Sequence, residues 1–393
     1  MKREKPSEDH PALPALIQRR GERTRARQAL IAWFDEVKRA LPWRENQDPW
    51  RIWVSEIMLQ QTRVSSVIGY FERFIARFPT PSALAEADPE ELRALWAGLG
   101  YYARARNLQR AAQQVVERHR GEVPRRPEDF AALAGVGPYT RGAVLSIAFD
   151  LSLPLVDGNV ERVFARLFAI RGLPKEGRTK KLLWAIAEAW VEGPRPGDFN
   201  QALMELGATC CTPKKPSCLL CPLSEQCEAR RLGLTNELPT RPQRKAIPEK
   251  HRVAALCRDD TGQIWLAQRK DQGLLASLWE PPSVTVDSSA SPTERQDALA
   301  PFSLELEGEA IARVQHGFTH QRWTLTLFTA RLAGEMTAPT PAGDYQRYRR
   351  FPIETLDRLA LSGPGLKLLI AAGLPLKARR GAGKTKTPRS PKR

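Results

Sequence analysis

The chain lacks any apolar run close to the roughly twenty residues that a membrane-spanning helix needs. Its N-terminus is charged and has no apolar segment of the kind that forms a signal peptide. We therefore expect a soluble intracellular protein without a membrane partner. Apolar residues make up 42% of the 393 positions, which is enough for a sizeable core in two or three domains.

Acidic residues are too few to balance the basic ones. There are 44 Asp and Glu against 61 Lys and Arg, which gives a formal net charge of +17. Such an excess favours a polyanionic partner, and nucleic acid is the simplest one. Part of the excess is local, because residues 377–393 include several Lys and Arg and no acid. We predict that the basic tail (376–393) and residues 1–24 are disordered.

Cysteine is scarce, and its distribution is uneven. Of the six cysteines, four fall within one short loop with the spacing C-x6-C-x2-C-x5-C. They are Cys211, Cys218, Cys221 and Cys227. In a reducing compartment, clustered cysteines are metal ligands more often than disulfides. Zinc sites usually contain two C-x-x-C pairs, whereas this loop has one, and the spacing matches neither common ferredoxin pattern. The spacing therefore predicts a four-thiolate metal site and leaves the metal open.

Strand-like alternation is almost absent from the N-terminal half. The apolar spacing there is helical, and Asp88-Pro89-Glu90-Glu91 has the cap, proline and third-position Glu of a helix start. Residues 231–250 are rich in Pro, Lys and Arg and predict a linker. Two strands are expected around the turn Asp259–Gly262, and another over Arg322–Leu332. The predicted fold is multi-domain, with an all-α domain (25–230) followed by an α/β domain (251–375).

The segment Leu133–Thr140 lies between two predicted helices and has the glycines that a sharp turn requires. Gly135 and Gly137 let the backbone approach a ligand closely, and the next helix begins at this turn. The free N–H groups and the positive dipole end of that helix would form a phosphate site without any side chain. An ordinary helix–helix turn explains the same residues equally well.

Two carboxylates are distinguished by their surroundings. Glu56 lies within the apolar run W-V-S-E-I-M-L-Q-Q-T, where an acid is costly unless it is paired or protonated. A raised pKa is what a general acid needs near neutral pH. Asp157, in L-V-D-G-N-V, precedes a predicted helix and would be a good N-cap. A buried acid with an ionised partner suits cleavage of a glycosidic bond, and a purely structural role for both groups is the alternative.

These segments together resemble the helix-hairpin-helix DNA glycosylases, and among them the MutY adenine glycosylases. The resemblance covers about residues 28–375, and its motifs are W-V-S-E-I-M-L-Q-Q-T, G-L-G-Y-Y-A-R-A-R-N-L, L-A-G-V-G-P-Y-T-R-G-A-V, V-D-G-N-V-E-R-V and the cysteine loop 211–227. It implies a [4Fe–4S] cluster on the four cysteines. It also implies a base excision repair enzyme that flips adenine out of double-stranded DNA and removes it where it is mispaired with 8-oxoguanine or guanine. We expect a monomer in the bacterial cytoplasm, associated with the nucleoid.

The resemblance assigns roles to individual residues. Glu56 would protonate adenine at N7, and Asp157 would stabilise the oxocarbenium-like sugar. Tyr139 and Asn159 would orient these two groups. The implied DNA contacts are Arg44, Gln61, Thr62, Leu99, Tyr101, Gly135, Val136 and Gly137. Relatives that also cleave the strand carry Lys where this chain has Tyr139, and since a phenol cannot form a Schiff base, we predict weak or no lyase activity.

The C-terminal domain resembles the MutT-like, Nudix-type domain of MutY proteins. A working Nudix hydrolase needs an acidic metal-binding helix, and after Leu278-Trp279-Glu280 this chain has only Glu294-Arg295. The domain is therefore interpreted as a non-hydrolytic reader of the damaged base. Phe318, Thr319 and His320 match the F-S-H loop that contacts 8-oxoguanine, with Thr in place of Ser.

Two other functions are kept as alternatives. An endonuclease III-like pyrimidine glycosylase would share the helical half, but Tyr139 and the additional C-terminal domain argue against it. A non-catalytic iron–sulfur protein that binds DNA or senses redox state would need neither Glu56 nor Asp157.

Overall fold

The computed structural model describes residues 20–242 and 246–377. The contacts among these residues define two compact units. The first ends at Glu86, resumes at Asn107 and runs to the linker, whereas the second comprises Ala87–Arg106 and the residues after the linker. Residues 20–24 belong to a helix, and the rest of the predicted disordered N-terminus lies outside the described residues, as does the tail from residue 378. The domain bounds derived from the sequence stay predictions.

The chain before the linker is helical, as expected. The α-helices are α1 (Arg20–Val37), α2 (Pro49–Leu59), α3 (Val64–Arg77), α4 (Pro81–Ala85), α5 (Pro89–Trp96), α6 (Ala103–His119), α7 (Pro127–Ala131), α8 (Pro138–Phe149), α9 (Gly158–Leu167), α10 (Gly177–Val191), α11 (Pro196–Thr209) and α12 (Glu228–Arg231). Short 3-10 turns span Pro42–Arg44 and Cys218–Leu220. Helix α5 belongs to the second unit, and α6 crosses the boundary between the units.

Helix α2 is the central helix of the first unit. Asp48 caps it by accepting a hydrogen bond from the Trp50 N–H at 2.8 Å, and Pro49 occupies the first turn, where its missing donor costs nothing. Residues 52–58 are all buried, and Trp53 packs edge-on against Phe130 with ring centroids 4.9 Å apart. Glu56 therefore lies on a helix that is enclosed by its neighbours.

Two glycines fix the position of the segment that leads into α9. A Cβ at Gly142 would lie 1.9 Å from the carbonyl oxygen of Pro154, and one at Gly207 would lie 2.5 Å from the Cβ of Asn159. Any side chain at these positions would push the segment away from α8 and α11. Glycine at both positions thus determines where Asp157 and Asn159 lie.

The described residues of the second unit form two sheets. The strands are β1 (Glu249–Cys257), β2 (Ile264–Arg269), β3 (Trp279–Glu280), β4 (Ser283–Val286), β5 (Leu304–Gly317), β6 (Arg322–Leu332) and β7 (Tyr345–Phe351). The first sheet has the order β4-β1-β6-β5 with β1 parallel to β6, and the second has the order β3-β2-β7. Helices α13 (Pro292–Leu299) and α14 (Gly363–Ala371) complete the unit, and the predicted α/β class is confirmed.

Strands β5 and β6 form a long antiparallel hairpin in which Gly317 pairs with Arg322. The Phe318 N–H donates to the carbonyl oxygen of Gln321 at 2.8 Å, which closes a tight turn at the tip. This turn presents the loop Phe318–His320 at one end of the sheet. The sequence predicted β6 and missed β5.

Candidate active site and DNA interface

A cavity of about 620 Å³ opens in the first unit between the end of α2, the hairpin before α8, the start of α9 and the face of α11 from Gln201 to Ala208. It brings together residues that the sequence analysis singled out from distant parts of the chain. Those lining it are Glu56, Tyr139, Asp157, Asn159, Arg44, Gln61, Thr62, Gly135 and Gly137. Val136 belongs to the same hairpin but does not line the cavity.

Glu56 is the buried acid of this cavity, with 5% of its surface exposed. Desolvation raises the pKa of its carboxyl group to about 7, and the nearby charge of Asp157 acts in the same direction. The Tyr139 hydroxyl donates a 2.6 Å hydrogen bond to Glu56 Oε2, and this bond together with the charge of Arg44 limits the rise. A carboxyl group with this pKa can donate a proton near neutral pH.

Asp157 is the N-cap of α9, and it also lines the cavity. Its Oδ1 accepts from the N–H groups of Asn159 and Val160 at 2.9 and 2.8 Å, and its Oδ2 accepts from the Asn159 amide at 2.9 Å. Burial raises the pKa of Asp157, while these hydrogen bonds and the charge of Arg162 oppose the rise. The structural role and the functional role proposed from the sequence are therefore compatible in one residue.

Arg162 connects this carboxylate to the cysteine loop, and the sequence analysis missed it. Its Nη2 donates to Asn159 Oδ1 at 2.9 Å, and its Nη1 donates to the Gly158 carbonyl at 3.1 Å. Its Nε donates to the carbonyl oxygen of Cys211 at 2.7 Å. The V-D-G-N-V-E-R-V motif supplied the signal, because it places an arginine on the same helical face as the residues it holds.

A third carboxylate, Glu205 on α11, lines the same cavity with 1% of its side chain exposed. It binds Arg39 Nε at 2.5 Å and Arg44 Nη2 at 3.0 Å. Burial acts to raise the pKa of Glu205, but the Arg39 hydrogen bond and the two arginine charges outweigh it and lower the pKa. Arg44 also donates to Gln201 Oε1 at 3.1 Å. Arg44 thus forms part of the pocket wall, and its predicted contact with DNA stays a prediction.

The hairpin after α7 has the geometry that an anion site requires. Gly135 has a φ of +76°, and a Cβ there would lie 2.7 Å from the Cβ of Asn107. Gln114 Oε1 accepts from the Ala134 N–H at 2.8 Å, which ties the hairpin to α6. Gly137 is the N-cap of α8 and offers no side chain to the N–H groups of the first turn. These donors remain available to a phosphate.

Two predicted DNA contacts lie at tight backbone turns. Gln61 follows α2 with a φ of +57° and is exposed at the mouth of the cavity, next to Thr62. Tyr101 has a φ of +49° and is 44% exposed, whereas Leu99 in the same loop is only 7% exposed. Leu99 and Tyr101 belong to the second unit. An exposed side chain held in a left-handed conformation suits a residue that inserts between bases.

The four predicted ligand cysteines line one small cavity, together with Cys210 and the guanidinium of Arg166. Arg166 Nη1 donates to Cys211 Sγ at 3.3 Å and to the Thr212 carbonyl at 2.7 Å. The cysteines are free thiols, so the described loop has no disulfide. Within the described ranges, no three His, Cys, Asp or Glu side chains are close enough to hold a single metal ion. The sulfur-only donor set fits a thiolate-bound centre, and Cys210, which the spacing leaves out of the ligand set, is a buried free thiol beside it.

The predicted lesion-reading loop is partly anchored in the core of the second unit. The ring of Phe318 packs against Trp323 and His316, with centroid distances of 4.8 and 4.7 Å. Thr319 and His320 are exposed at the tip of the hairpin. The loop therefore combines one anchoring aromatic side chain with two polar side chains that face solvent.

Glu280 and Glu294, the carboxylates of the segment that was compared with a Nudix hydrolase motif, have structural partners. Glu280 is buried, accepts from Arg269 Nη1 and the Tyr345 hydroxyl at 2.8 Å each, and also binds Ser362. Glu294 forms a capping box with Ser291 at the start of α13. Neither group is free to act as part of an acidic metal site.

The comparisons with known proteins agree with the two-part fold. Residues 54–189 match the HhH-GPD superfamily of base excision DNA repair proteins, and residues 253–371 match the NUDIX domain family. No helix among residues 20–242 and 246–377 is long and apolar enough to cross a bilayer. A solved thermostable thymine-DNA glycosylase is 29% identical, covers 54% of this chain and 98% of its own, and superposes with a TM-score of 0.49.

Two curated relatives extend the similarity across both parts of the chain. The rat adenine DNA glycosylase is 38% identical over an alignment of 377 positions that covers 81% of this chain and 72% of the relative. The human adenine DNA glycosylase is 37% identical over an alignment of 383 positions that covers 81% of this chain and 69% of the relative. The helical fold, the cavity with its buried acid and this similarity together show that the chain belongs to the adenine DNA glycosylase family, the DNA N-glycosylases that remove adenine in base excision repair.

Proposed function

We propose that this glycosylase excises adenine mispaired with 8-oxoguanine or with guanine in double-stranded DNA, by hydrolysis of the N-glycosidic bond and without strand cleavage. The observation that carries the proposal is the Tyr139–Glu56 hydrogen bond of 2.6 Å beside Asp157 in one cavity. This arrangement provides a protonated acid and a carboxylate from a single chain, which supports action as a monomer. With DNA as the substrate, the proposed location is the bacterial cytoplasm at the nucleoid.

Glu56 acts as the general acid in this proposal. Adenine leaves more readily when N7 is protonated, and a pKa of about 7 keeps a large fraction of Glu56 protonated near neutral pH. Tyr139 fixes the carboxyl group by its hydrogen bond to one oxygen and leaves the other oxygen for the base. A base flipped out of the duplex fits the cavity volume of about 620 Å³.

Asp157 stabilises the positive charge that develops on the sugar. Three hydrogen bonds to its oxygens, two of them from α9 backbone N–H groups, favour the ionised form. Asn159 holds Oδ2 and is itself held by Arg162, so the carboxylate has little freedom to rotate. A carboxylate fixed next to the developing oxocarbenium ion lowers the barrier electrostatically.

DNA is held by backbone and basic groups around the cavity. The hairpin Gly135-Val136-Gly137 offers N–H donors to a phosphate, and Gln61 with Thr62 reaches the duplex at the cavity mouth. Tyr101 enters the base stack next to the mispair, with Leu99 supporting its loop. The absence of an amine at position 139 leaves no nucleophile for a Schiff base there, which supports a monofunctional enzyme.

Cys211, Cys218, Cys221 and Cys227 hold a [4Fe–4S] cluster in this proposal. When bound, the cluster would supply a rigid cross-link of the loop and no reactive group. Lys214 and Lys215 lie inside the loop and face phosphate oxygens of the substrate. The second unit reads the base opposite adenine through Phe318, Thr319 and His320. It has no hydrolase activity in this proposal, because Glu280 and Glu294 are engaged in structural contacts.

A panel of duplexes containing A:8-oxoguanine, A:G, G:T or thymine glycol tests the proposal, with hot alkali to reveal abasic sites. We expect adenine release from the first two and no alkali-independent cleavage. Glu56→Gln should bind the same duplexes and release adenine about 10²-fold to 10⁴-fold more slowly, because general acid catalysis typically contributes that much. Glu117→Gln, at an exposed site on α6, is the matched control. Excision of thymine glycol, or release by Glu56→Gln near the rate of the unsubstituted chain, would refute the proposal.

A further inference from the structure

The loop Gly98–Tyr101, between α5 and α6, has a backbone that few sequences adopt. Gly98, Gly100 and Tyr101 have φ angles of +106°, +74° and +49°. The first two positions suit glycine, but Tyr101 has a Cβ and is strained in this region. A strained conformation persists only when neighbouring groups hold it, so the contacts of this loop are informative.

Arg104 provides two of the side-chain hydrogen bonds that hold the loop. Its Nη2 donates to the carbonyl oxygens of Leu99 and Gly100 at 3.2 and 3.0 Å. The Trp96 indole N–H also donates to the Gly100 carbonyl, at 3.2 Å. Two successive carbonyls that a regular helix would pair internally are thus bound by side chains.

The guanidinium of Arg104 also lies between two aromatic rings. Its Cζ is 5.5 Å from the ring centroid of Trp96 and 5.6 Å from that of Tyr101. Burial lowers the pKa of Arg104 to about 10, so the side chain remains charged at neutral pH. A planar cation can bind carbonyl oxygens at its edge and an aromatic ring at its face at the same time, which an ammonium group cannot do.

We propose that Arg104 is a positioning residue that holds the loop Gly98–Tyr101, and with it the Tyr101 ring, in the conformation that enters the base stack. The inference rests on the proposed insertion of Tyr101 and adds the group that prepares it before DNA binds. Arg104 acts through its neighbours, because its Nη2 and the face of its guanidinium are already engaged within the loop. Because Arg104 already orders the loop in the free protein, DNA binding does not have to compensate for the conformational entropy lost on ordering it.

Base unstacking provides the test, with 2-aminopurine placed beside the A:8-oxoguanine mispair and the full chain carrying Glu56→Gln to prevent excision. Tyr101→Ala should lower the fluorescence gain on binding. Arg104→Gln should lower it to the same level, and the double substitution should lower it no further, because both changes remove one function. Adenine release by Arg104→Gln in the chain that retains Glu56 should fall about tenfold, in line with loss of a charge-assisted contact.

Two further variants separate positioning from simple loss of charge or of fold. Arg104→Lys keeps the charge but cannot bridge the carbonyls and rings, so its fluorescence gain on binding should be as low as that of Arg104→Gln. If the Arg104→Gln protein does not fold, Arg104→Lys takes its place in the test. Arg118→Gln removes a charge from the same helix, about 21 Å further along it, and should leave the signal unchanged.

Three results would overturn the inference. The first is an unchanged signal in Arg104→Gln, and the second is full recovery in Arg104→Lys. The third is a fluorescence gain that is lower in the double variant than in Tyr101→Ala alone, together with a lower melting temperature of the Arg104→Gln protein. If Tyr101→Ala itself has no effect, the insertion role in the proposed function fails together with this inference. The duplex panel tests adenine excision independently of either result.

Discussion

Replacing Tyr139 by Phe should move the alkaline limb of the pH–rate profile to higher pH. The Tyr139 hydroxyl donates a 2.6 Å hydrogen bond to Glu56, and a bond to the charged form lowers a pKa. A hydrogen bond to a charged group contributes about 1.5–3 kcal/mol, and each pKa unit corresponds to about 1.36 kcal/mol. The pKa of Glu56, about 7 in the intact protein, should therefore rise by roughly one to two units.

The sign follows from the role of Glu56 as an acid. The protonated form is active, so the rate falls as pH rises through the pKa of Glu56. At about one unit above this pKa only about one-tenth of the intact protein is protonated, whereas about one-half or more of the Tyr139→Phe protein would be. The acidic limb, where Asp157 becomes protonated, should lie above the ordinary pKa of an aspartate because burial raises it.

Single-turnover release of adenine from an A:8-oxoguanine duplex, measured from about pH 5 to pH 9, gives both limbs directly. Tyr348→Phe is the matched control, because the Tyr348 hydroxyl has no hydrogen-bond partner among the described residues. Its profile should superimpose on that of the unsubstituted chain. An alkaline limb that stays in place in Tyr139→Phe, or that moves to lower pH, would refute the assignment of Glu56 as the titrating acid.

Three further changes should have distinct effects. Arg162→Gln should slow adenine release about tenfold while DNA affinity is retained, because Asn159 loses one charge-assisted hydrogen bond; an unchanged rate would contradict the positioning of Asp157. Replacing Lys214 and Lys215 by Gln should weaken binding to all duplexes, with the slope of log K against log salt falling by ~0.9 for each lost contact. Replacing Phe318 and His320 by Ala should reduce the preference for A:8-oxoguanine over A:G by roughly 1–3 kcal/mol, without slowing release from A:G.

The sequence predicted the helical half well because its signals are local. The Asp88-Pro89-Glu90-Glu91 start is an observed helix start, in which the Asp88 carboxylate accepts from the Glu90 N–H at 2.5 Å. The C-terminal half was predicted less completely. Strand β5 alternates apolar and polar residues over Leu304–Glu307 and half-buried and exposed residues over Ala312–Gly317, but Gly308 and a register shift against β6 between Glu307 and Ala312 interrupt the pattern. Its pairing with β6 on both sides of this irregularity defines it as one strand.

Candidate site residues were predictable where a residue type is unusual in its surroundings. Glu56 within an apolar run and two glycines at a helix junction are such cases. Glu205 was missed, because a charged residue on a helix is ordinarily solvent-exposed, and its neighbours Gln201 on α11 and Arg39 in the loop after α1 were missed with it. Glu205 is buried against Arg39 and Arg44, and only the three-dimensional packing of α11 against the other helices around the cavity shows this. Sequence spacing cannot show which face of a helix meets a cavity that several helices form.

Helix α9 shows how the cysteine loop, which lines no part of the cavity around Glu56, is connected to Asp157. Its first turn orients Asp157 and Asn159. About one turn later Arg162 donates to the backbone of Cys211, and about one turn after that Arg166 donates to the Cys211 sulfur. The cysteine loop and the Asp157 carboxylate are therefore attached to the same helix. Loosening the cysteine loop would remove hydrogen-bond acceptors from both arginines at once. Arg162 would then hold Asn159 less firmly, so disorder in the loop would reach the carboxylate through side chains that never touch the substrate.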